Sequence, residues 1–197
     1  MNSLILVGAG GHARSIIDII ESNNEWKIYG LVGFQREIGE NILGYKVIGT
    51  DEDLPNIYSK CHNAVIALGK IGKCEKREIV ELKLKKIGFN FPTIKSDIAY
   101  LSKQSSIGSG TTVGHGVIIN AGSKIGSHCI LNSNSLIEHD CIIGDHCHIS
   151  TGVIINGGCE VGDSSFIGSG SIIREGVKIP PNTIISSGKR IMGWPIK

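Results

Sequence analysis

Aromatic residues make up only 5% of this 197-residue chain. With so few large rings, the core must be filled by aliphatic side chains, which suits a narrow interior. An excess of one charge is also missing. Twenty Lys and Arg stand against eighteen Asp and Glu, interspersed, for a net charge of +2. No basic stripe marks a nucleic-acid surface. No apolar run approaches the roughly 20 residues of a membrane-spanning helix. The opening MNSLILVGAGG has no basic leader and runs straight into glycines. It reads as a buried strand rather than a secretion signal, so the expected location is the cytoplasm. Six cysteines are present without one Cys-x-x-Cys pair, which argues against a zinc clip or a redox motif.

What is present is a repeat of period six. Every sixth residue from Leu101 to Ile185 is aliphatic, fifteen in all without a miss: Leu101, Ile107, Val113, Ile119 and onward to Ile173, Ile179 and Ile185. A helix needs a period near 3.6 and a simple strand a period of two. A strict period of six marks a solenoid. Three hexads make one triangular coil, with the aliphatic pointing into the prism. The residue two before it is small, as in Ser123, Cys129, Ser135, Cys141, Cys147 and Cys159. In that inward slot cysteine acts as a small hydrophobe. The residue after the aliphatic is often Gly or Asn, which the pattern assigns to the tight turn. His146 and His148 flank Cys147, but neighbours on a strand face opposite ways, so no metal site is expected there.

Residues 1–95 lack the hexads, and 96–197 carry them, so two domains are expected. Leu4–Val7 is a short buried strand. Gly8-Ala9-Gly10-Gly11-His12-Ala13 is a turn, and Arg14 to Asn23 an amphipathic helix. Lys27 to Val32, Tyr45 to Ile48 and Ala64 to Leu68 read as strands. Lys73 to Lys86 reads as a helix with Ile79, Leu82 and Leu84 on its apolar side. Alternating strands and helices imply a small parallel sheet, an α/β Rossmann-like domain. Gly8-x-Gly10-x-x-Ala13 lets backbone approach a ligand, and free N–H groups at the helix start suit an anion. An NAD reading needs an acid after the second strand, where Gly33-Phe34-Gln35 stands instead. A nucleotide or sugar phosphate is the favoured ligand.

In the hexad region, Glu138-His139-Asp140 places an imidazole between two acids on an outward-pointing corner. Imidazole suits proton removal near neutral pH, and a neighbouring carboxylate strengthens the base. Either acid is placed to be the partner. His148 precedes Ile149 and is expected to point outward. His62, His115, His128 and His146 read as solvated surface residues.

The combination of Gly8-Ala9-Gly10-Gly11-His12, unbroken hexads and Ile137-Glu138-His139-Asp140 resembles bacterial sugar acyltransferases. These join a Rossmann-like domain to a left-handed parallel β-helix. They include nucleotide-4-amino-sugar N-acetyltransferases and sialic acid O-acetyltransferases. The resemblance implies that His139 is the general base and Asp140 the acid that raises its basicity. It implies that His148, Gly157, Ser169 and Ser187 contact acetyl-CoA, and that Gly10, Gly11, His12, Gly69 and Lys70 contact a nucleotide sugar. Gly193-Trp194-Pro195-Ile196-Lys197 resembles the closing segment of such enzymes. It further implies a homotrimer with no metal, making surface glycans. One departure stands out: the amino-sugar enzymes often carry an acidic pair where this chain has Gly33-Phe34. O-acetylation of sialic acid or a related nonulosonic acid is the second enzyme reading, and a non-catalytic scaffold or sugar-nucleotide binder the third.

Overall fold

The computed structural model describes residues 2–69 and 75–195. They form two compact units, 2–69 with 75–94, and 95–195. The first unit runs β1 (Asn2–Val7), α1 (Gly11–Ser22), β2 (Trp26–Val32), β3 (Asn41–Ile42), β4 (Tyr45–Gly49), α2 (Leu54–Tyr58), β5 (Ala64–Ile66) and α3 (Glu75–Ile87). Its sheet has the order β3-β4-β2-β1-β5 and is parallel except for the β3–β4 hairpin. From Leu4 to Val7 β1 is uninterruptedly apolar, because both its faces are covered there. Leu4 and Leu6 pack with Ile16, Ile17 and Ile20 of α1. Ile5 and Val7 pack with Leu54 and Ile57 of α2 and Leu84 of α3.

Two details of this unit differ from the sequence expectation. The short helix α2 was not foreseen; Pro55 sits in its first turn, where no N–H is needed. In α3 the apolar phase is different. Ile79 and Leu82 are 63% and 65% exposed, while Arg77 is 3% exposed. The inward stripe runs Arg77, Val80, Leu84, Ile87. One of its members is a cation whose stem packs and whose head finds carbonyls. The Arg77 guanidinium donates to the Ile66 carbonyl at 3.0 Å and also to the Leu68 carbonyl.

The second unit is a left-handed parallel β-helix whose coils are triangular. Two-residue strands stack every eighteen residues into three faces. The first face carries Tyr100–Leu101, Ile118–Ile119, Leu136–Ile137, Ile154–Ile155, Ile172–Ile173 and Arg190–Ile191. The second carries Ser106–Ile107, Lys124–Ile125, Ile142–Ile143, Glu160–Val161 and Lys178–Ile179. The third carries Ile94–Lys95, Thr112–Val113, Ile130–Leu131, His148–Ile149, Phe166–Ile167 and Ile184–Ile185. The second residue of each hexad strand points in, and Ile191 extends the aliphatic series by one more hexad. Cys129, Cys141, Cys147 and Cys159 are buried in that core. Each lends its Sγ to a carbonyl fifteen residues on; Cys159 to Arg174 is 3.0 Å.

The turn assignment needs correction. The left-handed residue stands three places after the inward aliphatic, not one. It is Gly110, Gly116, Gly122, His128, Asn134, Asp140, His146, Gly152 and so on to Gly188. The glycines directly after the aliphatic serve a different need. A Cβ on Gly126 would lie 2.6 Å from the backbone N of Asp145 in the next coil, and on Gly144 2.7 Å from that of Asp163. Glycine lets successive coils stack at these corners. A repeat reveals its period without revealing which small residue bends the chain.

Candidate active site

The corner between the first and second faces presents His139 and Asp140, both exposed. They follow the strand Leu136–Ile137. Asp140 is the left-handed residue of the turn, with φ of 58°. Asp tolerates that conformation better than most residues with a side chain. His139 Nδ1 lies 3.0 Å from Asp140 Oδ2. A carboxylate only accepts, so Nδ1 carries the proton and Nε2 holds the lone pair of the neutral ring. The Asp140 hydrogen bond raises the histidine pKa above its usual 6.5. Partial desolvation opposes this, and the charges of Asp140, Glu138 and Glu175 add to it.

Of the two flanking acids, Asp140 holds the ring. Glu138 is turned away: its Oε2 accepts from Asn120 Nδ2 at 2.9 Å, one coil below. The corner is further shaped by two glycines. The Asp140 carboxylate lies over Gly122 on the preceding coil, where a Cβ would collide with Oδ1. The His139 ring lies against Gly157 on the following coil. A Cβ there would sit 2.6 Å from both Cε1 and Nε2. Gly122 has φ of 77° and is also required by the turn, whereas Gly157 is not a left-handed residue. What Gly157 supplies is room for the imidazole.

The four residues matched to acetyl-CoA separate within one chain. Gly157 is at the His139 corner. His148 is on the third face, and Ser169 and Ser187 follow strands of that face at the next corner. Ser169 Oγ is 2.8 Å from Ser150 Oγ. His148 occupies the outward register position expected of it, yet it is only 7% exposed. Asn132 Nδ2 lies 3.1 Å from its Nε2, and its ring meets Phe166 edge-on at 5.1 Å.

In the first unit, Gly10 caps α1 and Gly11 opens it, with no side-chain cap over the first N–H groups. A Cβ on Gly10 or Gly11 would meet nothing within 4 Å. These glycines leave open space above the helix start. Gly8 is the tightly constrained one: its φ is 124°, and a Cβ would lie 2.9 Å from Ala67 backbone. Gly69 approaches the same turn, with its Cβ position 3.5 Å from His12 Cβ. Lys70 lies outside the described residues, as do Ile196 and Lys197 of the closing segment. At the end of β2, Phe34 is exposed and Arg36 lies 5.7 Å over its ring. An acid does occur close by: Glu37 Oε2 accepts from the Phe34 N–H at 2.8 Å and fills the space over Gly33.

His128 and His146 are not two solvated residues. They stack 18 residues apart, rings 5.4 Å apart and nearly parallel, and His128 is buried. Among the described residues, no group of three or more His, Cys, Asp or Glu is arranged to hold a metal ion. Among the described residues, no helix is long and apolar enough to cross a membrane.

Residues 3–81 match the family described as PglD N-terminal domain, and residues 122–157 match bacterial transferase hexapeptide, six repeats. No curated protein sequence matches the chain. Solved structures do. One is a perosamine N-acetyltransferase from Caulobacter crescentus with one histidine replaced by asparagine, in complex with CoA and GDP-perosamine. It is 28% identical with a TM-score of 0.91, over 98% of this chain and 90% of its own. PerB from the same organism, with the same two ligands, is 29% identical with a TM-score of 0.90, over 98% and 90%. The acetyltransferase domain of PglB from Neisseria gonorrhoeae FA1090 is 25% identical with a TM-score of 0.88, over 98% and 92%.

The chain is an acyltransferase, similar in sequence and fold to left-handed β-helix sugar acetyltransferases. Sequence reasoning about this acyltransferase singled out His139 and Asp140 but missed how they are seated. The signal was available at a spacing of eighteen, because 139 and 157, like 122 and 140, differ by one coil.

Proposed function

We propose that this acyltransferase transfers the acetyl group of acetyl-CoA to the amine of a nucleotide-linked 4-amino sugar. His139 is the general base, and Asp140 orients and charges it. The observation that carries the reading is the exposed His139–Asp140 pair, its ring backed by Gly157 and its Nε2 turned away from the carboxylate. The Caulobacter relatives, named for N-acetylation and solved with CoA and GDP-perosamine, support the substrate class.

In the reaction, the amine lone pair forms a C–N bond with the thioester carbonyl while His139 Nε2 takes the proton. The C–S bond then breaks, and the thiolate leaves with that proton as thiol. A thioester is already activated, so no covalent enzyme intermediate is needed; alignment and proton transfer suffice. The turn of Gly10, Gly11 and His12, with Gly69 and Lys70, holds the phosphates of the acceptor, its open helix start favouring an anion. Phe34 is offered to the base by stacking. His148, Gly157, Ser169 and Ser187 line the acetyl-CoA path.

This assignment requires more than one copy, since His148, Ser169 and Ser187 lie on other parts of the prism than His139. A homotrimer would bring the His139 corner of one copy to the third face of the next. Its apolar seam is the outer surface of the first face, where Tyr100 and Ile118 are exposed and Leu136, Ile154 and Ile172 half-buried. Ile130, in an outward register position on the third face, is already buried in one chain. The enzyme works in the cytoplasm on precursors of surface glycans.

The test is a screen of UDP-, dTDP-, GDP- and CMP-linked amino sugars, GDP-perosamine included, for thiol release from acetyl-CoA. Mass spectrometry of the product then locates the new acetyl group. Acetylation of an amine is expected. Transfer only to the hydroxyl of a nonulosonic acid would favour the O-acetyltransferase reading, and failure to bind acetyl-CoA would favour a scaffold.

A further inference from the structure

The His139 corner continues upward. Backbone hydrogen bonds stack Ala121 under His139, His139 under Gly157 and Gly157 under the next coil: Asp140 N to Ala121 O, Gly158 N to His139 O and Gly176 N to Gly157 O, each 2.9 Å. The residue above Gly157 in this column is Glu175, which is exposed. Strands one coil apart are about 4.8 Å apart, so His139 and Glu175 are separated by roughly 10 Å along the prism. The step between them is the one without a side chain. The Nδ1 edge of the imidazole is held by Asp140, and the ring's Nε2 and Cε1 lean over Gly157, toward Glu175. Among the described residues Glu175 takes part in no ion pair.

We propose that Glu175 selects an amine as the acceptor, its carboxylate holding the sugar's ammonium over Gly157 beside Nε2 of His139. This rests on the N-acetyltransferase reading above and adds to it the group that distinguishes an amino sugar from its hydroxyl counterpart. An alcohol has no charge for Glu175 to attract, whereas an ammonium makes a charge-assisted hydrogen bond to the carboxylate, the stronger kind. The field of Glu175 reaches the site, since it is one of the charges that raise the proton affinity of His139.

The protons balance. An acceptor arriving as ammonium must lose two. The first passes by way of the Glu175 carboxylate to water, which frees the lone pair. The second goes to His139 Nε2 as the C–N bond forms, and leaves with the thiolate when the C–S bond breaks. The sum is ammonium plus thioester giving acetamide, thiol and one proton to solvent.

The test is Glu175→Gln, which keeps shape and removes charge. The probe is GDP-perosamine, or whichever nucleotide-linked amino sugar the wild type acetylates, with its counterpart bearing hydroxyl for amine. Calorimetry should give a Kd for the amino sugar raised roughly tenfold or more, and an unchanged Kd for the hydroxyl counterpart. The KM of acetyl-CoA should not move. Equal changes for both sugars, or none for either, would overturn the proposal while leaving the N-acetyltransferase reading intact. A wild-type enzyme that acetylates no amino sugar overturns that reading first, before any variant is made.

Discussion

In the prism each coil repeats its neighbour, so the inward aliphatics from Leu101 to Ile191 define one another's places by stacking. In the N-terminal unit nothing repeats: a single Leu4–Val7 run supplies the central strand, and a single turn at Gly8 carries it into α1. The two regions also carry chemistry differently. The candidate active corner of the prism departs from its repeat. Column positions that elsewhere need only suit a turn become His139, Asp140 and Gly157. The candidate site of the N-terminal unit lies where open α/β sheets bind ligands, beyond the carboxyl ends of β1 and β5. A repeat makes the fold robust and leaves function to its exceptions; a one-off fold offers function at the place where its topology switches.

This contrast can be broken most severely at the exception. His139→Ala is expected to lower kcat by roughly 10² to 10⁴, the range for a lost general base, with acetyl-CoA affinity kept. Single-turnover kinetics alongside calorimetry would check it, and near-normal turnover would remove His139 from the mechanism. The repeat itself is next. Ile155→Ala, fully buried in the prism, should cost about 2–5 kcal/mol, whereas Ile79→Ala on the exposed side of α3 should stay within about 0.5 kcal/mol. Denaturant unfolding of both would show whether repeated burial or mere hydrophobicity is what counts.

A third experiment compares the two kinds of glycine in the coils. Gly144→Ala would press a Cβ on the backbone of the next coil and should destabilise by about 1–3 kcal/mol. Gly152→Ala has free space but φ of 66°, and should cost about 1–2 kcal/mol. Thermal melts in which Gly144→Ala is harmless would refute the stacking role.

On the N-terminal side, Gly11→Val enters open space. It should therefore fold, and raise the acceptor KM while leaving that of acetyl-CoA unchanged. The reverse pattern would exchange the two sites. The smallest expected effect is Asp140→Asn. The neutral imidazole is the working base, so activity is lost as pH falls below its pKa. The Asp140 hydrogen bond raises that pKa. Removing the charge should lower it and move the acid limb of the kcat/KM profile to lower pH, with a smaller loss of rate than His139→Ala. Asn also tolerates φ of 58°, which keeps the turn.

The period of six and the inward register were legible in the chain because an aliphatic at each sixth place has a single packing solution. The same holds for the buried β1 run, the glycine-opened helix, and the imidazole flanked by acids. Three matters lay beyond one-dimensional pattern. The phase of α3 was hidden because its inward stripe contains Arg77, whose charge is satisfied by carbonyls of β5 and the loop after it. Only the coil geometry showed which small residue bends and which merely makes room, since Gly144 and Gly152 look alike in sequence. And the choice of Asp140 over Glu138 was settled by the coil below, where Asn120 takes the Glu138 carboxylate and leaves His139 to the acid on the turn. Local periodicity determines the fold; contacts between residues eighteen apart decide what the corner can do.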